Sequence, residues 1–346
     1  MRGLALAGLL ALTVWRAQGF WAFHLPATLD PENDPVEALR LALDHLETWP
    51  GDLAANRLAA RGLSQLIYPD EAEPYYDRLR RADRFNAQDA HARALGLTRA
   101  NQRENAVAAY EAILAESPDD PLALRRLGAV QWSRGRREEA LSAARRLAET
   151  PEGAVTGQIL LAQVYHDGGR WEEAVRHARR VLELDPELDQ LGYPREVFYL
   201  EFGDDLLRTG RTTEARQLME SALSRLDDVG LLEVLGQACL EEGDLDEADR
   251  HWRRAAERSP GRAKPWRVLG RIRLRSQRAE EAVTFLNRAL EIDPEHYETL
   301  ASLAAAYRVL GRLDQARELE SRAATARRAL PPSATGMGAD LPQTSP

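Results

Sequence analysis

The stretch WRVLGRIRLRSQRAEEAVTFLNRALEIDP, residues 266–294, decides the fold. Gly270 in its first half and Ala282 in its second are small residues, placed where two antiparallel helices must approach closely. Glu280 and Glu281 open the second helix, where the helix dipole favours negative charge. Pro294 closes that helix and suits the start of the next turn. The arrangement recurs in both directions. Ala38, Ala72, Ala106, Ala140 and Ala174 stand 34 residues apart. After one longer step of 41 the series resumes at Ala215, Ala248, Ala282 and Ala316, with steps of 33, 34 and 34. Twelve residues before these alanines comes a small residue, as at Ala60, Ala94, Gly128, Ala162, Gly203, Gly236, Gly270 and Ala304. Twelve residues after them a proline often follows, as at Pro50, Pro118, Pro186, Pro260 and Pro294. Gly135, Gly169, Gly210, Gly243 and Gly311 fall between the two helices of their copies, where a left-handed residue ends a helix. The chain is a tandem array of helix pairs.

Composition agrees with that reading. Of 346 residues, 44% are hydrophobic and 29% charged, so the chain can fold. The dominant residues are strong helix formers, and no stretch alternates β-branched and polar residues as a strand would. The class is all-α.

The unit from Trp266 to Pro294 resembles the tetratricopeptide repeat, and so does the copy carried by Leu161, Ala162, Tyr165, Ala174 and Pro186. The likeness runs from about residue 35 to residue 329. It implies a right-handed α-solenoid of stacked antiparallel helix pairs that holds other proteins and performs no catalysis. About eight repeats begin at Leu53, Ala87, Pro121, Val155, Glu196, Val229, Ala263 and Tyr297. Residues 35–52 supply an N-terminal capping helix, and residues 53–86 are a degenerate copy. The longer step places an insertion at 187–195, where Gly192 and Pro194 favour a loop that is less ordered than its flanking helices. The repeats span 53–330 and end in a polar, arginine-rich capping helix, and the tail 331–346 is expected to be disordered.

Residues 1–25 read as a signal peptide or a membrane anchor. Met1-Arg2 carries positive charge, Gly3 to Trp15 is an apolar run, and Ala17-Gln18-Gly19 offers a cleavage site before Phe20. The uncleaved reading extends the run through Phe20-Trp21-Ala22-Phe23 and places Arg16 within it, at a cost of about 2.5–3.5 kcal/mol if central. A linker follows over 26–34. Either reading puts the repeats outside the cytoplasm, on the periplasmic side of a bacterial envelope, with membrane contact only through this segment. The alternative is a cytosolic module that senses a peptide or protein signal.

The net charge of −9 argues against a nucleic-acid partner. The seven histidines are scattered, none three or four residues from another, and the lone Cys239 sits mid-helix among apolar residues. No phosphate-binding or nucleophile motif occurs. No enzyme activity, metal or cofactor is expected.

In the family that this chain resembles, successive first helices line a concave groove that takes peptides or partner helices. Arg125, Trp132 and Gln163 map to that groove, with Ile159, His166, Leu200, Asp204, Glu233 and Gln237. Some family members grip a terminal carboxylate with asparagines in this groove. Ala129, Gln163, Asp204 and Gln237 stand where those would be needed, so that mode is not expected. The seventh repeat stands out by its own spacing. Lys264, the only lysine, and Arg267, Arg271 and Arg275 follow steps of 3, 4 and 4, which puts them on one helical stripe. Arg262, Arg273 and Arg278 add charge, and no acid occurs from Arg262 to Ala279. The stripe is expected to lie exposed and to bind an acidic segment of a protein or peptide partner. The bland reading is a solvated face answered by Glu280-Glu281 and Glu241-Glu242.

Overall fold

A computed structural model describes residues 34–329. Residues 1–25, nearly all of the linker and the tail 331–346 lie outside the described residues. The described chain holds seventeen helices and no strand. Its described residues divide into two units, 34–168 with 177–190 and 169–176 with 191–329.

The first unit holds α1 (Pro35–Thr48), α2 (Leu53–Gln65), α3 (Pro69–Arg81), α4 (Ala87–Arg99), α5 (Arg103–Glu116), α6 (Pro121–Ser133), α7 (Arg137–Glu149) and α8 (Ala154–Asp167). Helix α9 (Trp171–Leu184) gives its last turns to this unit and its first to the second. The second unit continues with α10 (Arg195–Arg208), α11 (Thr212–Leu223), α12 (Val229–Glu242), α13 (Leu245–Arg258), α14 (Ala263–Arg275), α15 (Ala279–Ile292), α16 (Tyr297–Val309) and α17 (Leu313–Ala329). Within each unit a helix packs on the next along the chain and, one helix further on, first helices meet: α2 on α4, α6 on α8, α10 on α12 and α14 on α16. Several first helices begin where the sequence supplies a cap. The side chains of Asp52, Asn86, Asp120 and Asp228 each accept a hydrogen bond from the backbone N–H three residues on.

Every alanine of the series is buried. Ala140, Ala174, Ala248 and Ala282 are wholly buried. At Gly236 the missing side chain makes room for the buried Trp252 of α13, whose Nε1 would lie 2.6 Å from a Cβ at that position. Burying a side chain of this class stabilises by about 1.5–3 kcal/mol, so the glycine's weaker helix propensity is readily offset. The turn after each first helix shares one conformation whatever residue fills it. Gly135, Gly169, Gly210, Gly243 and Gly311 have positive φ, and so do Ile67, Asn101 and Gln277 at the same phase of the period.

Between α9 and α10 the chain runs without helix through residues 185–194. Its first half is not a loose loop. The nearly buried Asp185 carboxylate accepts from the N–H groups of Asp189 and Gln190, and Leu188 is buried. Backbone donors that a helix would have satisfied find a side-chain acceptor instead.

Candidate functional site

The basic stripe lies on α14 of the second unit, between the first helices α12 and α16. The absence of acids along α14 does not leave it unanswered. Lys264 Nζ lies 3.1 Å from Glu233 Oε2 on α12, and Arg262 reaches the other oxygen of the same carboxylate at 3.1 Å. Glu233 is only 5% exposed, so this pairing compensates a nearly buried charge. On the other side, Arg267 reaches Glu298 of α16 at 3.2 Å and donates to His296 Nε2 at 2.5 Å. Arg267 is 18% exposed. Burial pushes its guanidinium below its usual range, with Glu298 opposing.

The stripe is therefore not the uniformly exposed row that its spacing suggests. The acids that answer it are Glu233 and Glu298, not Glu280-Glu281 or Glu241-Glu242. Arg273 lies off the stripe, nearly buried, 2.7 Å from Asp249 and 3.1 Å from Glu281, and Arg278 pairs with Glu281 as well. Only the C-terminal half of the stripe stays without an ion pair among the described residues. Arg271 is half-buried and Arg275 exposed. Like charges four apart on one helix repel, so this end of α14 has a standing electrostatic deficit.

His296 is the side-chain cap of α16, and its ring stacks on Tyr297. Its Nδ1 lies 3.0 Å from the Thr299 hydroxyl while Nε2 faces Arg267. Arg267 can only donate, so Nε2 accepts and the neutral ring carries its proton on Nδ1, which donates to the Thr299 hydroxyl. The cap bond from the Thr299 N–H to Nδ1, at 3.3 Å, needs the other tautomer, so the two arrangements compete. Burial first, and Arg267 second, push the imidazole below its ordinary range, against Glu298 and Asp293.

In the first unit, Arg125 on α6 is exposed and has no ion pair among the described residues. Trp132 is half-buried and donates from Nε1 to Asp167 of α8 at 3.1 Å. Gln163 is half-buried on α8. A cavity of this unit lies elsewhere, among α2, α4 and α6, and none of these three residues lines it. The sequence reading passed over Arg61 because it treated residues 53–86 only as a degenerate copy, and over Arg99 and Arg126 because they lie in different repeats and share no spacing motif.

The family-model comparison agrees with a helical-repeat architecture. Residues 105–337 match the family model described as cilia and flagella-associated protein 70 C-terminal domain. Among curated proteins, the chain is 22% identical over 291 residues to Protein CTR9 homolog of Arabidopsis thaliana, covering 73% of this chain and 27% of that protein. It is 25% identical over 187 residues to Tetratricopeptide repeat protein 8 of Caenorhabditis elegans, covering 53% and 36% respectively. The chain thus spans about a third of the length of these relatives. Among solved structures, YrrB, described as a TPR protein with an unusual peptide-binding site, is 19% identical with a TM-score of 0.44, over 55% of this chain and 95% of that one. The MamA protein is 18% identical with a TM-score of 0.44, over 54% and 98%.

Proposed function

This chain belongs to the tetratricopeptide-repeat proteins, in the family of the cilia and flagella-associated protein 70 C-terminal domain, and from that premise we propose that it is a protein-binding scaffold whose α14 face holds an acidic segment of a partner. The family is generally non-catalytic, and the fold supports protein–protein interaction. One observation carries the finer reading: Arg271 and Arg275 stand beside the paired Lys264 and Arg267 with no acid of their own. Exposed ion pairs contribute only about 0–1 kcal/mol each, so the two arginines would anchor a partner together rather than singly. Arginine's planar fork suits carboxylates gripped two at a time.

The N-terminal residues support a placement outside the cytoplasm, with the scaffold serving envelope components. Protease added to spheroplasts should then digest the repeats, and their complete protection would place the scaffold in the cytoplasm. The binding face is tested by site-specific photo-crosslinking from position 271, with position 288 on the exposed side of α15 as the comparison. The expected result is a discrete acidic partner captured from 271 and lost when Arg271→Glu and Arg275→Glu are combined. Equal capture from both positions, or capture that survives the double reversal, would overturn the assignment of this face.

A further inference from the structure

The first unit holds a cavity of about 430 Å³ that the α14 face does not touch. Its polar lining comes from Arg61, Ser64 and Gln65 on α2, Gln88, His91 and Arg99 on α4, and Arg126 on α6. No acid lines it. The buried Asp89 is held by both Arg57 and Arg61, so this trio keeps one positive charge in surplus. Arg99 donates at 2.6 Å to the neutral Gln65 amide, and Arg126 has no ion pair among the described residues. His91 spends its Nε2 on Asp120, at 3.1 Å, and its buried Nδ1 has no partner. Ala92, Leu95 and Leu122 add an apolar surface beside these groups. Three arginines thus converge from three first helices on a space large enough for several side chains.

We propose that this cavity is a second, independent binding site that takes an extended peptide segment with regularly spaced carboxylates. The spacing follows from the helices. Adjacent packed helices lie about 8–10 Å apart, and an extended chain in the polyproline II conformation has three residues per turn and advances about 3.1 Å per residue, so every third side chain faces one way. An acid every third residue therefore meets α2, α4 and α6 in turn. Arg61, Arg99 and Arg126 supply the charged donors, the Gln65 and Gln88 amides can meet the peptide backbone, and Leu95 with Leu122 seat the residues between the acids. Charge-assisted bonds from guanidinium to carboxylate are the strong class of hydrogen bond, and a partly buried pocket screens them less than open surface does.

The test uses the full chain and fluorescein-labelled nonapeptides read by anisotropy. One peptide carries glutamate at positions 1, 4 and 7. A second carries the same three glutamates in a contiguous block, and a third replaces the glutamates of the first with phosphoserine. The spaced glutamate peptide should bind the tightest. Arg126→Glu should weaken it by at least about tenfold, the scale of one charged hydrogen bond lost. Arg126 has no internal partner to lose, and an unchanged melting temperature of this variant separates lost binding from lost fold. The combination of Arg271→Glu and Arg275→Glu should leave this binding intact, which keeps the site distinct from the α14 face. The proposal is overturned if the spaced peptide fails to bind at millimolar concentration, or if Arg126→Glu binds it as well as the original chain does. Equal affinity for the blocked peptide would refute the row geometry, and preference for phosphoserine would refute the carboxylate class.

Discussion

Replacing Gly157 with alanine tests the helix packing most sharply, because two opposing effects can be weighed. Gly157 lies on α8, against α7. A Cβ built there would sit 2.4 Å from the backbone N of Ala148, 2.6 Å from its Cα and 2.8 Å from its Cβ. Ordinary contact distances are about 3.5–4.0 Å, and a backbone cannot swing aside as a side chain can. The two helices would have to part by about 1 Å, and a gap of that size forfeits a quarter to a half of each dispersion contact across it. Leu147 and Leu161, both buried, lie on these two helices. Overpacking of this kind costs typically about 1–3 kcal/mol, and the backbone clash puts this case at the upper end. Against it stands the better helix propensity of alanine, about 1 kcal/mol. Packing wins, and the net loss should be about 2 kcal/mol, or roughly 4–8 °C in melting temperature for a unit of this size. Gly62 is the comparison. There a Cβ would meet Leu39 Cβ and the Pro35 carbonyl at 3.3 Å, a deficit of tenths of an ångström that the propensity gain offsets. Thermal melts of both variants, with hydrogen exchange of residues 137–167, decide the matter. If Gly157→Ala melts at or above the original chain, the close approach of α7 and α8 is wrong.

Two further outcomes follow from other parts of the fold. Gly243 has a φ of 84° and nothing within 4 Å of a Cβ, so Gly243→Ala should cost about 1 kcal/mol through the left-handed backbone alone, seen as a lower urea midpoint, and an unchanged midpoint would discount that turn. The depressed imidazole of His296 binds fewer protons folded than unfolded, so its contribution is complete above an unfolded pKa of about 6.5 and is lost as pH falls below it. His296→Asn keeps a capping side chain while removing the titration, and urea midpoints between pH 7 and 5 should fall less in that variant; an identical pH slope would exclude His296 as the cause.

The period of 34 was legible because it rests on excluded volume. An alanine that must let two helices approach cannot be replaced by a large residue without cost, so Ala140, Ala248 and Ala282 survive as a visible register in a chain that varies elsewhere. The turn after each first helix was only partly legible. Glycine signals a left-handed residue, but Ile67, Asn101 and Gln277 adopt the same conformation without announcing it, because the helices on either side fix the turn. Gly157 carried no signal at all, since it lies outside the phase of the recurring small residues and answers to a single neighbour.

The charged face was misread for a different reason: α14 was read as an isolated helix. In a stack of repeats the neighbours of a first helix lie about one period away in sequence, not three or four residues away. Glu233 stands 31 residues before Lys264, and Arg267 stands 31 before Glu298, so both ion pairs repeat one geometric relation between adjacent first helices. That offset turns the sequence into a map of cross-helix contacts. Applied in both directions, it points from Arg271 to Leu240 and Ser302, which carry no charge, and from Arg275 to Ala306 and to Asp244, whose carboxylate lies 3.4 Å from Arg216 instead. The same rule that explains why half of the stripe is neutralised therefore explains why the other half is not. On the function proposed above, acids of a partner would complete the charge that this chain leaves unanswered at Arg271 and Arg275.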